Sequence, residues 1–377
     1  MGVQISGGYI GYRMRTHIVR AILALAALLP LHAVAAKIVG GPVVVHVGPK
    51  SATIVWVVED FQVELGDAPD AVNQAVAPGL RSVRASFTGL KPGRRYYYKV
   101  PGYDGVGGSF RTAPVGDVDF QFVVFGDTRT RHKMHRDIVN AIVRDTKPDF
   151  VIHTGDLVSN GRESALWPRF FEIEAPLLRE AAFFPVLGNH ERNSPDFHDF
   201  FAIESPYYSF DWGRAHFIIL NSDFGNAAAT KEAKQRFWDD QLRWLERDLA
   251  EHQDAALRFV AMHHPPFTAV KRRQGGKKHV ADMVPLFERY KVTAVYMGHD
   301  HNYQHHLVGG VHYIVTGGGG APLYPVDAPL DGVTLKVESV EHYVRVAVKG
   351  GRAVSEAVAL DGRVIDRVVF GSRDSTD

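Results

Sequence analysis

Five short apolar runs in this chain each end in Asp, Asn or His. The clearest is FVIHTGD at residues 150–156, which is typical of a buried strand that stops at a turn carrying the carboxylate of Asp156. The other four runs end at Asp127, at Asn189 with His190, at His263 with His264, and at His299 with His301. Because the carboxyl ends of strands in an open α/β sheet meet in one crevice, these residues are predicted to converge on a single site centred on Asp156.

Composition and charge fit a globular protein large enough for more than one domain. Of the 377 residues, 45% are hydrophobic and 23% are charged. Lys and Arg number 43 against 42 Asp and Glu, so neither nucleic acid nor an anionic membrane is expected as the main partner. The chain has no Cys, which excludes a disulfide scaffold.

Residues 14 to about 37 have the pattern of a secretory signal. A basic segment precedes an apolar stretch at 21–31, and the small residues Ala, Val and Ala at 33–35 form a cleavage site. The apolar stretch is shorter than the roughly 20 residues that a membrane span needs, so a cleaved signal is favoured over a retained anchor. We predict a leader and signal peptide over 1–36, no transmembrane span after its removal, and a secreted or periplasmic protein.

From 37 to 114 short β-runs rich in Val, Thr, Trp and Tyr are separated by Gly, Pro and Asp. The runs lie at 43–47, 53–58, 83–87, 96–100 and 109–112. This spacing predicts a small all-β sandwich. Trp56 and the tyrosines at 96–98 are expected in its core and corners rather than on a ligand-binding surface.

Between 115 and 325 apolar strands alternate with amphipathic helices, which is the pattern of an α/β domain. Helical spacing fits residues 135–145, 235–251 and 282–290. After 325 the β-like runs return, at 333–337, 343–348 and 363–370. These runs are predicted to complete the sheets or cover an edge in a C-terminal extension and tail, 326–377.

The strand ends supply a mixed set of oxygen and nitrogen ligands: Asp127, Asp156, Asn189, His263, His299 and His301. Such a set without thiolate suits iron, manganese or zinc and favours magnesium less. It is too large for one catalytic ion with an open position, whereas two ions that share one carboxylate would use all of it. Two metal ions of uncertain identity are therefore the expected cofactors.

The motifs GD at 126–127 and 155–156, GNHE at 188–191, HHP at 263–265 and GHDH at 298–301 resemble, in this order, the signature of the calcineurin-like metallophosphoesterases. The YYSF segment at 207–210, the four glycines at 317–320 and the β-rich segment before them resemble the purple acid phosphatase branch. The resemblance covers about 40–325. It implies a fibronectin type III-like sandwich followed by a metallophosphoesterase domain of two mixed β-sheets flanked by helices.

The resemblance also implies residue roles. Asp156 would bridge both ions, Asp127 and His301 would hold the first, and Asn189, His263 and His299 the second. A hydroxide held by the ions would attack the phosphorus of a small phosphate monoester. His190 would bind phosphate or protonate the leaving oxygen, and His264 would contact substrate.

Two alternative functions stay open at this point: a phosphodiesterase with the same site, and a cell-surface binding protein whose metal site is vestigial. Retention of polar groups at every one of the strand ends argues against a vestigial site. The sequence leaves the oligomeric state and the natural ester open, because loops shape the pocket rim.

The chain departs from the family pattern beside Asp127 and Asp156. Arg129 stands where many members have the His of Asp-x-His, and Ser159 stands where the purple branch has Tyr. The first ion therefore lacks its usual third side chain, which water, Ser159, His132 or His135 would have to replace. Arg129 cannot ligate a cation, and its guanidinium either clasps a phosphate oxygen or forms a structural salt bridge.

Two further groups of basic residues have open roles. The basic loop at 271–278 is predicted to be solvated, and the alternative is a rim that attracts anionic substrate. His305 and His306 follow the last motif, and a place behind the ligands or a packing role fits them equally.

Overall fold

The computed structural model describes residues 3–6, 37–59, 63–65, 74–76, 79–103, 105–275 and 278–371. Most of the expected signal peptide, residues 7–36, lies outside these ranges, so export stays a prediction. Among the helices within them, none is long and apolar enough to cross a membrane.

Strands and helices alternate through the middle of the chain, with strands alone at either end. The strands are β1 Val3–Ser6, β2 Lys37–Val45, β3 Ser51–Glu59, β4 Val63–Leu65, β5 Gln74–Val76, β6 Leu80–Thr88, β7 Arg95–Lys99, β8 Gly107–Arg111, β9 Phe120–Phe125, β10 Phe150–His153, β11 Ala182–Pro185, β12 Tyr208–Trp212, β13 Ala215–Ile219, β14 Leu257–Ala261, β15 Ala294–Met297, β16 Tyr303–Val308, β17 Val311–Thr316, β18 Thr334–Glu338, β19 His342–Lys349, β20 Arg352–Ala359 and β21 Val364–Phe370. The α-helices are α1 His132–Asp145, α2 Trp167–Leu178, α3 Pro195–Phe200, α4 Lys231–Glu251, α5 Lys278–Ala281 and α6 Val284–Arg289, and 3₁₀ helices occupy Ser164–Leu166 and Lys271–Arg273.

The larger sheet has the strand order β1-β6-β3-β2-β11-β10-β9-β19-β20-β21. Its centre is parallel, with Phe150 of β10 beside Phe122 of β9 and Ala182 of β11. On one side β19 runs antiparallel along β9, and on the other a single pair, Ala182 with Val44, joins β11 to β2. The domain boundaries expected at 114/115 and 325/326 stay predictions, and this sheet crosses both of them.

The second sheet has the order β12-β13-β14-β15-β17-β16-β18. Strands β13, β14, β15 and β17 are parallel, whereas β12, β16 and β18 pair antiparallel at the two sides. Parallel neighbours bring the ends of β14 and β15 to the same edge. That edge carries two of the histidine-containing motifs.

The two sheets face each other across an aromatic core. Because successive strand residues point to opposite faces, Phe122 and Phe150 turn towards the second sheet, while Val123 turns towards the helices. The rings of Phe122 and Phe150 stack with centroids 4.9 Å apart, and Phe217 of β13 meets Phe150 edge-on at 5.1 Å. Helices α1 and α2 cover the outer face of the larger sheet, and α4 and α6 cover that of the second. The expected mixed sheets flanked by helices are present.

The β-rich N-terminal segment has β2, β3 and β6 in the larger sheet and β7 with β8 as a separate antiparallel pair. Trp56 and Tyr96 pack against the inter-sheet core as expected, and the Tyr96 hydroxyl accepts a hydrogen bond from the Lys91 N–H at 2.9 Å. The expectation for Tyr97 is wrong, because the alternation of β7 leaves its side chain 80% exposed. The fibronectin type III assignment stays a prediction.

The helix boundaries differ from the expected ones mainly at their starts. Helix α1 begins at His132 rather than 135 and α4 at Lys231 rather than 235, because their first turns are mainly polar and do not continue the apolar stripe. The α4 start has a cap that the apolar pattern did not use, the hydroxyl of Thr230 accepting from the Ala233 N–H. Helix α6 is shorter than expected, running from Val284 to Arg289.

Candidate metal centre

The strand-end residues converge where the two sheets meet. Asp127 follows β9, Asp156 follows β10 and Asn189 follows β11, while His263, His299 and His301 follow β14 and β15 of the second sheet. Asp127, Asp156 and His299 have left-handed backbones, with φ of 60°, 57° and 70°. Such conformations cost a non-glycine residue of order 1–3 kcal/mol and persist where surrounding contacts fix them, often at functional sites.

Hydrogen-bond acceptors, which are also the atoms that can ligate a cation, meet at the Nε2 atom of His263. The ring donates its Nδ1 hydrogen to the Thr154 carbonyl at 2.8 Å, so Nε2 of the neutral ring carries a lone pair. This atom lies 3.2 Å from Asn189 Oδ1, 3.3 Å from His299 Nδ1 and 3.4 Å from Asp156 Oδ1. Acceptors that face one another in a buried site are stabilised by a cation between them.

A second meeting of acceptors lies at Asp127. His301 donates its Nδ1 hydrogen to the Pro322 carbonyl at 2.7 Å, which directs the lone pair of Nε2 towards Asp127 Oδ1 at 3.4 Å. That oxygen is buried and has no hydrogen-bond partner among the described residues, whereas Oδ2 accepts from the His299 N–H at 2.9 Å. An unpaired buried carboxylate oxygen opposite an imidazole lone pair is the second place that fits a cation.

Glycines leave room for these carboxylates. A Cβ atom at Gly298 would lie 2.5 Å from Asp127 Oδ2, and one at Gly317 would lie 2.8 Å from the same oxygen. A Cβ at Gly188 would collide with Asp156 Oδ1. These glycines therefore allow the ligand side chains to pack closely against the backbone, in addition to allowing the chain to turn.

The charge of the site favours cations. Burial lowers the pKa of His263, but the negative charges of Asp156 and Asp127 more than offset this and raise it. Ligand atoms of Asp127, Asp156 and His263 lie within 4.8 Å of one another, and those of His263, His264 and His299 do so too. The residues present thus fit metal ions by charge, by donor type and by available space.

Glu191 holds the turn that carries Asp156. Its buried carboxylate accepts hydrogen bonds from the backbone N–H groups of Asp156 at 2.9 Å, Leu157 at 2.8 Å and Gly188 at 2.8 Å. Burial, together with the nearby charge of Asp156, raises the pKa of Glu191, while the N–H donors oppose this. Glu191 is a positioning residue, because it acts on Asp156 through the backbone.

The other predicted site residues flank the ligands. His190 donates its Nδ1 hydrogen to the Ser159 carbonyl at 2.7 Å, and its Nε2 lies 3.8 Å from Asp156 Oδ2. Arg129 has its Nε 3.6 Å from the same oxygen. The His264 ring lies 4.3 Å from that of His299, and its backbone N–H donates to the Ser222 hydroxyl at 2.8 Å.

The calcineurin-like phosphoesterase family matches residues 120–303, a range that includes every one of these ligands. Residues 120–303 form a calcineurin-like metallophosphoesterase domain. Phosphoesterases of this family use dimetal centres, and the match is consistent with a metal-dependent phosphoric ester hydrolase. The two groups of acceptors described above fit such a centre.

Similar proteins extend beyond this phosphoesterase domain. An uncharacterized protein of Mycobacterium tuberculosis is 28% identical over 269 residues, 60% of this chain and 50% of that protein. A probable purple acid phosphatase of Arabidopsis thaliana is 27% identical over 240 residues, 57% of this chain and 53% of that protein. The chain thus spans about half the length of the curated relatives it matches.

A solved structure has a similar fold. The purple acid phosphatase PPD1 from yellow lupin (Lupinus luteus) seeds superposes with a TM-score of 0.67 at 18% identity, covering 88% of this chain and 74% of that one. At 88% coverage the superposition extends beyond residues 120–303. At this identity the likeness concerns the fold alone.

Neither histidine candidate for the third ligand of the first ion reaches the candidate metal centre. His135 Nε2 bonds to Glu174 Oε1 at 2.6 Å between α1 and α2, and His132 is exposed beside Glu172 and Arg169. Both face the outer helical layer rather than the crevice. The expectation that either completes the shell is wrong.

The sequence analysis missed Tyr324 and left Glu191 and Asp300 without roles. The Tyr324 ring stacks on His301 with centroids 4.1 Å apart, and buried Asp300 pairs with Arg273, Nε to Oδ1, at 3.3 Å. Glu191 lies in the GNHE motif and Asp300 in the GHDH motif, so their place in these motifs could have indicated a role at the site. Tyr324 lies outside every motif. His305 pairs with Asp366 at 2.8 Å, away from the ligands.

Proposed function

We propose that this chain is an exported phosphatase that hydrolyses small phosphate monoesters with two metal ions at this centre. The observation that carries the proposal is the convergence of lone pairs at His263 Nε2, joined by the unpaired oxygen of Asp127 opposite His301. Export rests on the signal-like sequence before residue 37.

The ligands divide between two positions that share Asp156. Its Oδ1 faces His263 of one group at 3.4 Å, and its Oδ2 faces the side of Arg129 and His190. In this division Asp127 and His301 hold the first ion, and Asn189, His263 and His299 hold the second. When bound, such ions activate water and neutralise charge on phosphoryl oxygens. Iron, manganese and zinc suit the donors.

His190 has the geometry of a general acid. Its Nδ1 hydrogen is committed to the Ser159 carbonyl, so the ring is held with Nε2 towards the crevice. In the protonated ring Nε2 carries a hydrogen that can pass to the leaving oxygen. Because a carbonyl oxygen only accepts, this orientation does not depend on the ionisation of the ring.

Arg129 supplies a fixed positive charge beside Asp156. Its backbone N–H donates to the Asp156 carbonyl at 3.1 Å, and its buried Nε has no hydrogen-bond partner among the described residues. At 3.6 Å from Asp156 Oδ2 the guanidinium can clasp a phosphoryl oxygen while it keeps its contact with the carboxylate. His264 lies on the opposite side and would contact substrate next to His299.

The test compares Asp156→Asn, Arg129→Ala and the surface control Asp137→Asn after reconstitution with zinc or manganese. We expect wild type to hydrolyse an aryl phosphate monoester faster than the matching diester. Asp156→Asn should lose kcat by on the order of 10³-fold with metal content reduced. Arg129→Ala should mainly raise KM, by roughly 10-fold, because a charge-assisted hydrogen bond to phosphate is lost. Asp137→Asn should match wild type.

Faster diester hydrolysis would replace the monoesterase by a phosphodiesterase of the same site. Absence of hydrolysis of either ester by metal-loaded wild type would overturn the proposal and favour a binding protein. Equal losses of kcat in Asp156→Asn and Arg129→Ala, with metal content intact in both, would remove the bridging role of Asp156.

A further inference from the structure

A further group of candidate metal ligands lies where the β12–β13 hairpin meets the end of helix α4. Asp211 lies on β12, His216 lies on β13, and His252 directly follows α4. One ligand atom from each of these side chains lies within 4.8 Å of the other two. Two imidazoles and a carboxylate are a donor set that suits zinc and similar divalent ions.

This group is separate from the candidate metal centre. His216 pairs with Arg258 near the start of β14, whereas the centre lies beyond the other end of that strand, at His263. The three residues from Arg258 to Ala261, the last of β14, already span roughly 10 Å at about 3.3 Å per residue. An ion held by His216 is therefore not one of the two ions that would share Asp156.

Asp248 of α4 takes one nitrogen of each ring. His216 Nε2 lies 2.8 Å from Asp248 Oδ2, and His252 donates its Nδ1 hydrogen to the Asp248 carbonyl at 2.7 Å. The nitrogens left for a metal are Nδ1 of His216, which lies 2.7 Å from Asp211 Oδ1, and Nε2 of His252. A metal-bound histidine commonly donates its other ring hydrogen to a carboxylate or a backbone carbonyl, and Asp248 supplies both of these partners.

A cation can take the place of a proton at this group. Because carboxylates only accept, the His216 ring that contacts Asp211 and Asp248 carries a hydrogen on both nitrogens when no metal is bound. A metal ion between His216 Nδ1 and Asp211 would release the Nδ1 hydrogen and keep the attraction to the carboxylate. The rings of His216 and His252 now lie parallel, with centroids 3.7 Å apart. The His252 side chain is 31% exposed, so its ring has room to tilt towards a shared ion.

The elements that carry these side chains are held together. Arg258 of β14 donates from Nη1 to the carbonyls of His252 at 3.3 Å and Ala255 at 3.0 Å, which fixes the chain after α4. The Ser209 hydroxyl of β12 donates to Asp248 Oδ1 at 2.8 Å. Ligands on elements that are already fixed lose less entropy when they bind an ion than ligands on a free loop.

We propose that Asp211, His216 and His252 bind one divalent cation of the zinc class, with Asp248 orienting both rings. Three protein ligands leave a position for water, since Asp211 faces solvent. Asp211 and His252 are partly exposed, whereas most ligands of the candidate metal centre are buried. The ion at this outer site should therefore exchange with buffer faster, and gel filtration into metal-free buffer should remove it.

Titration calorimetry with zinc tests the outer site, on protein that has been loaded with zinc and then gel-filtered into metal-free buffer. Wild type should bind about one further zinc ion per chain. His252→Gln and Asp211→Asn should each weaken this binding by at least about 10-fold, because each removes one of three ligands. The matched control is His132→Gln, the same substitution at an exposed histidine of α1, and it should bind zinc like wild type.

Far-UV circular dichroism of each sample shows that the variant is folded, and exposed positions were chosen so that folding is retained. Absence of further zinc binding by wild type would overturn the outer site. Binding that is unchanged in both His252→Gln and Asp211→Asn, or weakened equally in His132→Gln, would show that zinc binds elsewhere on the chain. Ester hydrolysis is not needed for this test, so its result is independent of the proposed phosphatase activity.

Discussion

The chemistry of this centre depends on which nitrogen of each histidine ring carries a hydrogen. His190, His263 and His301 each donate from Nδ1 to a backbone carbonyl, Ser159, Thr154 and Pro322 respectively. A carbonyl oxygen cannot donate in return, so Nε2 is the atom that each ring presents to the crevice. In the proposed function, these backbone hydrogen bonds would orient His263 and His301 to bind cations and His190 to transfer a proton.

The first prediction at this scale concerns His190. His190→Ala should keep its metal content and lower kcat by roughly 100-fold for an alkyl phosphate, because the leaving oxygen then lacks a proton donor. The loss should shrink as the leaving alcohol becomes more acidic. Rates for a series of esters, with metal analysis of the same samples, measure this. A loss that is independent of leaving-group pKa would remove the acid role and leave a phosphate-binding one.

The second prediction concerns Glu191. Both carboxylate oxygens of Glu191 accept hydrogen bonds from backbone N–H groups at the Asp156 turn. Glu191→Gln replaces one of these oxygens by an NH₂ group, which donates and cannot accept. Buried N–H groups that lose their partner cost about 1–3 kcal/mol, so the free energy of unfolding of the metal-free protein should fall by roughly that amount. Denaturant unfolding with chelator present measures it. Unchanged stability would show that the turn does not depend on Glu191.

At the same scale, the sequence predicted which residues meet but not how they are held. The strand-end pattern suffices to bring Asp127, Asp156 and His263 together, since strand ends share an edge. The pairing of Arg129 with Asp156 and the stacking of Tyr324 on His301 depend on side-chain directions that periodicity does not contain.

At the scale of single elements, His216 joins the hairpin of β12 and β13 to helix α4. The buried ring contacts Asp211 Oδ1 through Nδ1 at 2.7 Å and Asp248 Oδ2 through Nε2 at 2.8 Å. Carboxylates accept, so a ring that serves both must be protonated. Burial lowers the pKa of His216, but the hydrogen bonds to Asp211 and Asp248 and their charges more than offset this and raise it above 6.5.

The third prediction follows from that raised pKa. A histidine whose pKa is higher in the folded than in the unfolded chain stabilises the fold. This stabilisation is complete at pH values below the unfolded-state pKa of 6.5, and it is lost as the pH rises through the folded-state pKa. The unfolding free energy of wild type should therefore exceed that of His216→Gln by about 2 kcal/mol at pH 6, and the difference should narrow with rising pH.

Denaturant unfolding from pH 6 to 9 on metal-free protein measures this difference. His132→Gln is the control, because His132 is exposed and its pKa is lowered by partial burial and nearby positive charges, the direction opposite to that of His216. A difference between wild type and His216→Gln that is constant across the range would show that the ring is not protonated in the folded chain.

The presence of a helix was easier to predict from the sequence than the residues at which it begins and ends. The apolar stripe of α4 at Trp238, Leu245 and Leu249 identified the helix, and all of these side chains are buried. Helix α2, Trp167–Leu178, was not predicted because its prolines, Pro168 at the start and Pro176 inside, are typical of helix breaks. Contacts of its aromatic residues with β2 and α1 support the helix despite them.

At the scale of the whole molecule, the sequence pattern predicted an α/β domain, the family resemblance implied its pair of sheets, and neither predicted that one sheet continues into the N- and C-terminal segments. The alternation of strands and helices between 115 and 325 indicates an α/β domain, and the structure has it. That the N-terminal strands join the same sheet depends on one pair of residues, Val44 with Ala182. The C-terminal strand β19 pairs along β9, the strand that Asp127 follows. Such non-local pairings leave no trace in local sequence patterns.

In the proposed centre the two ion positions have different numbers of ligands. Asn189, His263 and His299 would hold the second ion beside the shared Asp156, whereas Asp127 and His301 alone would join Asp156 at the first. Ser159 offers no tyrosinate, and the Tyr303 hydroxyl donates to Asp366 Oδ2 at 2.9 Å, so it is not directed at the centre. We therefore expect a colourless protein whose first position exchanges its ion more easily.

The ratio of metal to chain, measured by elemental analysis during dialysis against a mild chelator, tests the two-ion centre most directly. We expect about two ions per chain after zinc or manganese reconstitution, and about one after the first exchange. Monoester hydrolysis should be lost at that step and restored by divalent salt, and Asp127→Asn should begin near one ion. Full hydrolysis at a ratio near zero, or an intense tyrosinate-to-iron absorption band, would contradict this centre.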